Sequence, residues 1–508
     1  MLAITPMSST TSHETAIDHG SPRYRFFEAL PGILSWGLLA FFAVVARLET
    51  PLFALFIILF MSYWVANCAS IVFTARAGLK RVIAVRSEDW LARLEAEYPE
   101  WREHYYCTII PFASESINVL RPTIEALAST DFPAERRILV LSSEAALPRG
   151  RDVALELAAE FEGRFGRIFV TEHVLKEGEL KGKASNENYA GRFAHARLRN
   201  LGIDPAKVLV SSNDADMKVE KVYPAYLLYT YLSEGEERDR IIYQPIPADL
   251  GDYWTASFFT RMLVMSGILW RLTLHMRGGL RCTVFAFYSM SMKTLHDIGF
   301  WDADTIPEDE RTMFKAIKAF GRDFHVKPLF VMTKGASIRG DGLAGSAVEQ
   351  YSQIRRWAWG ASEIAHSVSV YRGLDRAGRR AMRLPILNQF RTAVEWSLAP
   401  LLLMTGGFLP GLLNPAFAMS AAGRTYSFAI TLITCISTCL LVGTIWLERL
   451  IAPPRPESRM SAPFRVFGLA QWFLSPVVSL AFGAIPALEA QTRLILNKRI
   501  AYVESRKE

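Results

Sequence analysis

Lys207-Val208-Leu209-Val210-Ser211-Ser212-Asn213-Asp214-Ala215-Asp216 is an apolar run that ends in a polar turn carrying two carboxylates. The run reads as a buried strand and the turn as its carboxyl end. Working outward toward the N-terminus, Cys107–Pro111, Arg137–Leu141 and Arg167–Thr171 read as three further short strands. Val119–Ser129 and Asp152–Phe165, which lie between them, have helical spacing. Strand–helix–strand alternation predicts a mostly parallel α/β sheet. Ligands of such sheets bind at the carboxyl ends of the strands. Asp214 and Asp216 are therefore the first candidate site residues. Carboxylates at i and i+2 suit Mg²⁺ or Mn²⁺ held against a diphosphate; acidic pairs also occur in surface loops with no such role.

Further outward, the chain becomes apolar. It has 508 residues, of which 51% are hydrophobic and 21% charged. Five stretches lack charge for about the length that spans hydrocarbon: Ala29–Ala46, Thr50–Ala75, Trp396–Gly423, Thr425–Leu447 and Val466–Leu488. In lipid the backbone must bond to itself, so each reads as helix. Basic residues cluster at Arg76–Arg86 after the second run, Arg379–Arg391 before the third and Arg449–Arg465 after the fourth, whereas the opposite loops carry only Arg47 and Arg424. Positive charge marks the cytosolic side, so the middle segment is expected in the cytosol of a multi-pass protein of the cell membrane. The net charge of +7 gathers beside the apolar runs, which fits anionic lipids and not nucleic acid. Pro476 and Pro486 interrupt the fifth run. A broken or re-entrant helix there would return the basic tail to the cytosol, and we expect that arrangement over a single crossing. Residues 1–28 read as a cytosolic tail without the features of a cleaved signal, 29–75 as a helix pair, 76–391 as a cytosolic domain, 392–488 as a membrane region and 489–508 as a basic tail. Trp254–Leu274 is apolar but split by Arg261 and Arg271; it reads as a helix lying on the membrane surface, with an ordinary buried helix as the alternative. The five cysteines show no CxxC pair and read as reduced.

Three further segments carry candidate chemistry. Glu308-Asp309-Glu310 opens a stretch with helical spacing. Acids there simply favour a helix N-terminus, or one of them serves as a general base. Gln353-Ile354-Arg355-Arg356-Trp357 has the form Q-x-x-R-W; arginine binds phosphate through two parallel hydrogen bonds and the indole face suits sugar stacking. Gly340-Asp341-Gly342-Leu343-Ala344-Gly345 matches G-x-G-x-x-G, but no strand runs directly into it. It reads as a flexible loop and not as a dinucleotide fingerprint.

Taken in order, these segments resemble glycosyltransferase family 2, in particular the membrane-embedded branch with cellulose, chitin and hyaluronan synthases and ceramide glucosyltransferase. Pro111-Phe112-Ala113-Ser114-Glu115 resembles the opening strand motif, Gly182-Lys183-Ala184 with Asn188 the G-K-A…N segment, Asp214-Ala215-Asp216 the D-x-D, Glu308-Asp309 the E-D of T-E-D, and Gln353, Arg356 and Trp357 the Q-x-x-R-W. The resemblance implies a GT-A-type nucleotide-sugar-binding α/β domain flanked by transmembrane helices. It implies an inverting transfer with Asp309 as base and with Mg²⁺ or Mn²⁺ on Asp214 and Asp216. Glu115, Lys183, Asp214, Asp216 and Arg356 would bind the donor and its diphosphate, and Gln353 and Trp357 the acceptor. The implied acceptor is a growing polysaccharide, with a single transfer to a lipid as the alternative and an inactive membrane scaffold as a third reading. Two positions depart from the family. Ser142-Ser143-Glu144 stands where an acid usually follows the second strand, and Pro307 replaces the threonine of T-E-D.

Overall fold

The computed structural model describes residues 20–279, 282–457 and 462–500. Most of the expected N-terminal tail and residues 501–508 lie outside these ranges. Seven strands form one sheet in the order β3-β2-β1-β4-β6-β5-β7. They are β1 Tyr105–Pro111, β2 Arg137–Glu144, β3 Arg167–His173, β4 Val208–Ser212, β5 Ile241–Ala248, β6 Tyr288–Ser291 and β7 His325–Lys334. β1, β2, β3 and β4 run parallel, β6 is antiparallel to both its neighbours, and β5 and β7 are parallel. The chain leaves β1 toward β2 and β3, then returns through helix α3 (Lys183–Asn200) to place β4 on the other side of β1. This reversal opens a crevice at the carboxyl ends of β1 and β4.

The alternation of side chains along each strand divides the core. Ile109, Ile138, Val140, Val208 and Val210 pack with Ala190, Ala194 and Leu198 of α3 on one face. Ile110, Leu139, Leu141 and Leu209 face the other way, toward a cluster that includes Leu79 and Val82.

Those two residues belong to α2 (Thr50–Ser87), which continues without interruption from its apolar half into the sheet domain. It follows α1 (Pro22–Leu48), which takes in residues 22–28 of the expected tail. Helix α4 (Phe258–Arg277) packs against α2 through Thr273 and Leu272. It is a core helix, with Met262, Met265, Ile268 and Leu272 buried, so the buried alternative holds over the membrane-surface reading. Its two arginines are engaged within the protein: Arg261 donates to the Ala256 carbonyl and to Gln471, and Arg271 to the Pro247 carbonyl.

The third apolar run, Trp396–Gly423, does not form one helix. Its first part is the end of α7 (Arg376–Thr405). Two short helical turns and Asn414 follow before α8 (Ala421–Ile451) begins. Pro410 and Pro415 cannot donate the bonds that a continuous helix would need. Four helical stretches among the described residues are long and apolar enough to cross a membrane: Pro22–Leu48, Thr50–Ser87, Ala421–Ile451 and Val466–Ile495. The last is irregular, with a 3₁₀ turn at Gln471–Leu474 and a π-helical turn at Leu480–Ala484, before α9 (Ile485–Ile495). Both of its ends touch the sheet domain's own elements. Phe467 shares a cavity with Trp254 and Leu343. Glu489 accepts from Tyr351 (2.7 Å) and Arg355 (2.9 Å) on α6 (Gly342–Ala358).

Candidate active site

The crevice at the switch point widens into a cavity of about 670 Å³. Its walls come from the turn after β1, the ends of β2, β4 and β5, the start of α3, the segment Thr283–Ala286, the first turn of α5 (Glu308–Phe320) and the middle of α6. Glu115, Lys183, Asp214, Asp216, Asp309, Gln353, Arg356 and Trp357 all line it. Residues more than two hundred positions apart are brought together: Glu115, Lys183, Asp214, Asp216 and Asp309 follow a strand or open a helix at the same edge of the sheet, and Gln353, Arg356 and Trp357 come from the later turns of α6.

Lys183 sits at the centre. Its ammonium is 2.8 Å from Asp214 Oδ1, 2.8 Å from Glu308 Oε1 and 3.7 Å from Glu187 Oε1, and it donates to the Ala286 carbonyl at 3.0 Å. Burial alone would lower its pKa, but Asp214, Glu187 and Glu308 outweigh burial and hold it well above the ordinary lysine value. Glu187 behaves oppositely. Burial pushes its carboxyl up to about 8, over the lowering pull of Lys183, and Ser212 Oγ donates to it at 2.5 Å. Asp216 is fixed by the Ala336 N–H at 2.8 Å.

Asp309 follows Pro307 and Glu308 at the start of α5 and accepts from the Glu310 N–H at 2.8 Å. The helix N-terminus leads one to expect a lowered, fully ionised carboxyl. Instead burial, and then the neighbouring Glu308 carboxylate, push it up to about 7. That value suits a base working near neutral pH. Glu310 also lines the cavity, and burial followed by the charge of Asp309 raises it to about 8.

The Ser142-Ser143-Glu144 stretch is built into the fold at the end of β2. Ser142 is taken up by Asn186, which also donates to the Phe112 and Ser142 carbonyls. The Ser143 hydroxyl is buried without a partner. Ser142 and Ser143 are absent from the cavity wall, whereas Glu144 lines it. His173, itself buried, holds it from behind at 3.2 Å and holds Glu179 at 3.0 Å. Burial lowers the His173 pKa, but the two carboxylates outweigh it and the net shift is upward. A histidine with a raised folded-state pKa contributes stability that is fully present below its unfolded value of about 6.5 and is lost as pH rises through the folded value. The wild type should therefore lose stability relative to His173→Gln as pH climbs above that range. Thermal unfolding midpoints of both proteins across neutral pH check this; parallel curves would exclude the clamp.

Asp249, Trp270 and Trp396 also line the cavity and were not singled out in the sequence. Asp249 carries the same signal as Asp214, an acid directly after an apolar strand. It lies close to Asp216: a Cβ on Gly335 would stand 2.7 Å from Asp249 Oδ1 and 3.5 Å from Asp216 Oδ2. Trp396 and Thr392 come from α7, so a helix of the apolar region forms part of the cavity wall.

No group of three or more His, Cys, Asp or Glu side chains suited to a metal is present among the described residues. Mg²⁺ typically takes only one or two carboxylates plus substrate phosphates. The hard-oxygen pair Asp214 and Asp216 at the crevice fits that donor set.

No family model matches the chain, and no curated protein matches it. Among solved structures, the mannosyltransferase PcManGT from Pyrobaculum calidifontis in complex with GDP-Man and Mn²⁺ aligns over 73% of this chain and 99% of its own, at 14% identity and a TM-score of 0.34. S. aureus TarS 1-349 aligns over 68% of this chain and 92% of its own, at 12% identity and a TM-score of 0.35. The same protein in complex with UDP aligns at a TM-score of 0.33. Overlaps this loose carry no argument about function, which rests on the site itself.

Proposed function

We propose that the chain is a membrane glycosyltransferase with a GT-A-type domain on the cytosolic side, transferring a sugar from a nucleotide-sugar donor to a growing polysaccharide. The observation that carries this reading is the convergence of Glu115, Lys183, Asp214, Asp216, Asp309, Gln353, Arg356 and Trp357 on one cavity at the switch point of the sheet. The donor's base lies toward Glu115 and Glu144 and its diphosphate toward Lys183 and Arg356. Lys183 stays charged and offsets the charge that builds on the departing diphosphate. Asp214 and Asp216 would hold Mg²⁺ or Mn²⁺, which neutralises the diphosphate when bound. The acceptor hydroxyl, stacked by Trp357 and positioned by Gln353, attacks the anomeric carbon as its bond to the diphosphate oxygen breaks. The hydroxyl proton passes to Asp309. One displacement inverts the anomeric centre, and no covalent enzyme intermediate is needed.

A second reading, single transfer to a lipid, draws on Thr392 and Trp396, through which an apolar-region helix reaches the cavity. Purified protein incubated with labelled nucleotide sugars separates the two. Long products appearing early support the polymer; one sugar per acceptor in the organic phase supports the lipid. No transfer from any donor would favour the scaffold reading. Excess chelator should abolish transfer, and full activity in chelator would remove Asp214 and Asp216 from a metal role.

The irregular final run supports a cytosolic tail, since Phe467 and Glu489 at its two ends both contact domain elements. In this topology α1, α2 and α8 cross, Trp396–Gly423 crosses as the end of α7 and the short turns after it, and the final run, although long and apolar enough to cross, lies along the cytosolic surface. Ser505→Cys should resist an impermeant thiol reagent added to intact cells. Labelling from outside would mean that the run crosses once.

A further inference from the structure

A second cavity of about 390 Å³ lies away from the one described above. It sits where α8 ends, where the irregular run begins and where α4 and α6 both start. Three arginines, Arg261, Arg339 and Arg455, line it together with the rings of Trp254, Phe258 and Phe467. Arg455 stacks over Trp254 at 4.4 Å, and the Trp254 indole N–H donates to the Pro453 carbonyl at 2.8 Å. The arrangement pre-orients a guanidinium before any ligand arrives. Among the described residues no carboxylate pairs with Arg339 or Arg455. Three guanidinium groups in one concavity repel each other, and such a cluster of planar donors suits a multiply accepting anion such as a phosphate.

The rim indicates where the phosphate comes from. Leu343 and Phe467 at the cavity edge and Val466 beside it are exposed apolar side chains. Aromatic and basic residues at the end of apolar helices are the usual occupants of the membrane–water interface. The cavity also has a route to the catalytic cavity. Arg339 belongs to the segment after β7, in which the Ala336 N–H holds Asp216 and Ser337 donates to the Asp249 carbonyl. The segment then leads into α6, which carries Gln353, Arg356 and Trp357.

We propose that this cavity binds a phosphate group, supplied by the headgroup of an acidic phospholipid, and that its occupancy steadies the Ala336–Gly340 segment beside Asp216. The inference rests on the membrane reading above for the source of the phosphate, but not for the site itself. An anion here draws Arg339 inward and fixes the stretch that holds Asp216, so lipid composition regulates donor binding.

The test uses the full chain in vesicles of phosphatidylcholine alone and in vesicles with added phosphatidylglycerol, and in neutral detergent with inorganic phosphate. Thermal unfolding and donor affinity are read in each. The acidic lipid should raise both for the wild type. Arg339→Gln removes an exposed side chain with no ion pair, so the fold is retained; each lost guanidinium should raise the half-saturating lipid fraction about tenfold. Arg339→Lys should recover part of the response, and Arg339→Gln with Arg455→Gln should abolish it while transfer in phosphatidylcholine persists. A gain from inorganic phosphate with none from acidic vesicles would keep the site and overturn the lipid source. A wild type indifferent to both, or a double variant that responds as the wild type does, would overturn the proposal. Whether the chain needs detergent to leave the membrane fraction is scored on the same preparation, so failure of the membrane reading is recognised separately.

Discussion

Asp309→Asn should lower turnover at least about a hundredfold while leaving donor binding near normal, since general-base catalysis is typically worth about 10²–10⁴ in rate. The side chain keeps its shape but can no longer take the acceptor proton. The competing view is that the acids merely cap α5. A lost cap costs about 1 kcal/mol and leaves turnover per folded molecule unchanged. The local geometry disfavours capping, because Asp309 bonds only the adjacent Glu310 N–H and the cap position is Pro307, whose side chain makes no bond. The raised pKa of about 7 adds a signature. Wild-type turnover should climb as pH rises through that value and then level off. The same shift means that the ionised carboxylate is disfavoured in the folded state. Stability linked to Asp309 is therefore present below its unfolded value and lost as pH rises through the folded one. The asparagine variant should accordingly be no less stable than wild type above neutral pH. Normal turnover with lowered stability would remove Asp309 from the chemistry.

Lys183→Met should be the most damaging single change to the folded site. Removing one partner of a buried charge cluster costs about 3–5 kcal/mol, because the remaining charges lose their compensation. Here Asp214 and Glu308, both 2.8 Å from the ammonium, would be left facing each other. Chemical unfolding should show the loss, and donor affinity should fall with it. Adding Asp214→Asn to Lys183→Met should restore part of the stability by removing one orphaned charge, even though it removes another donor contact. Double-mutant analysis isolates that coupling. A Lys183→Met protein as stable as wild type would show that the lysine does not hold the acids together.

Much of the cavity wall could be read without the structure, for a physical reason. Its residues directly follow short apolar strands or open a helix, and both boundaries leave a local signature. Asp214, Asp216 and Asp309 are of this kind. Strands β1 to β4 were legible for the same reason, whereas β6 is four residues long and antiparallel between longer neighbours. The Glu144–His173–Glu179 clamp was not legible, because nothing local distinguishes a histidine held by two distant carboxylates from one in solvent. Helix α4 was read as a surface helix because its arginines suggested one, while the groups that receive them, the Ala256 and Pro247 carbonyls and the distant Gln471, show no pattern in the sequence. The third apolar run was misplaced because charge-free length was counted across prolines. The charged residues of α7 as far as Glu395, which lies near Arg391, hid the helix that carries the start of the third run.

Helix α2 spans 38 residues with no Pro beyond its first turn, and so extends about 57 Å at 1.5 Å per residue. If its apolar half crosses a bilayer, as proposed, it would act as a fixed mast between the bilayer and the sheet. In the proposed topology a domain carried this way would not rock freely, and the mouth of the cavity would keep a set height above the lipid. A single residue inserted between Ala77 and Gly78 would turn everything above it by about 100°. The cavity would then swing away from Thr392 and Trp396, which line it now, and on the proposed function transfer should be lost with every motif residue intact.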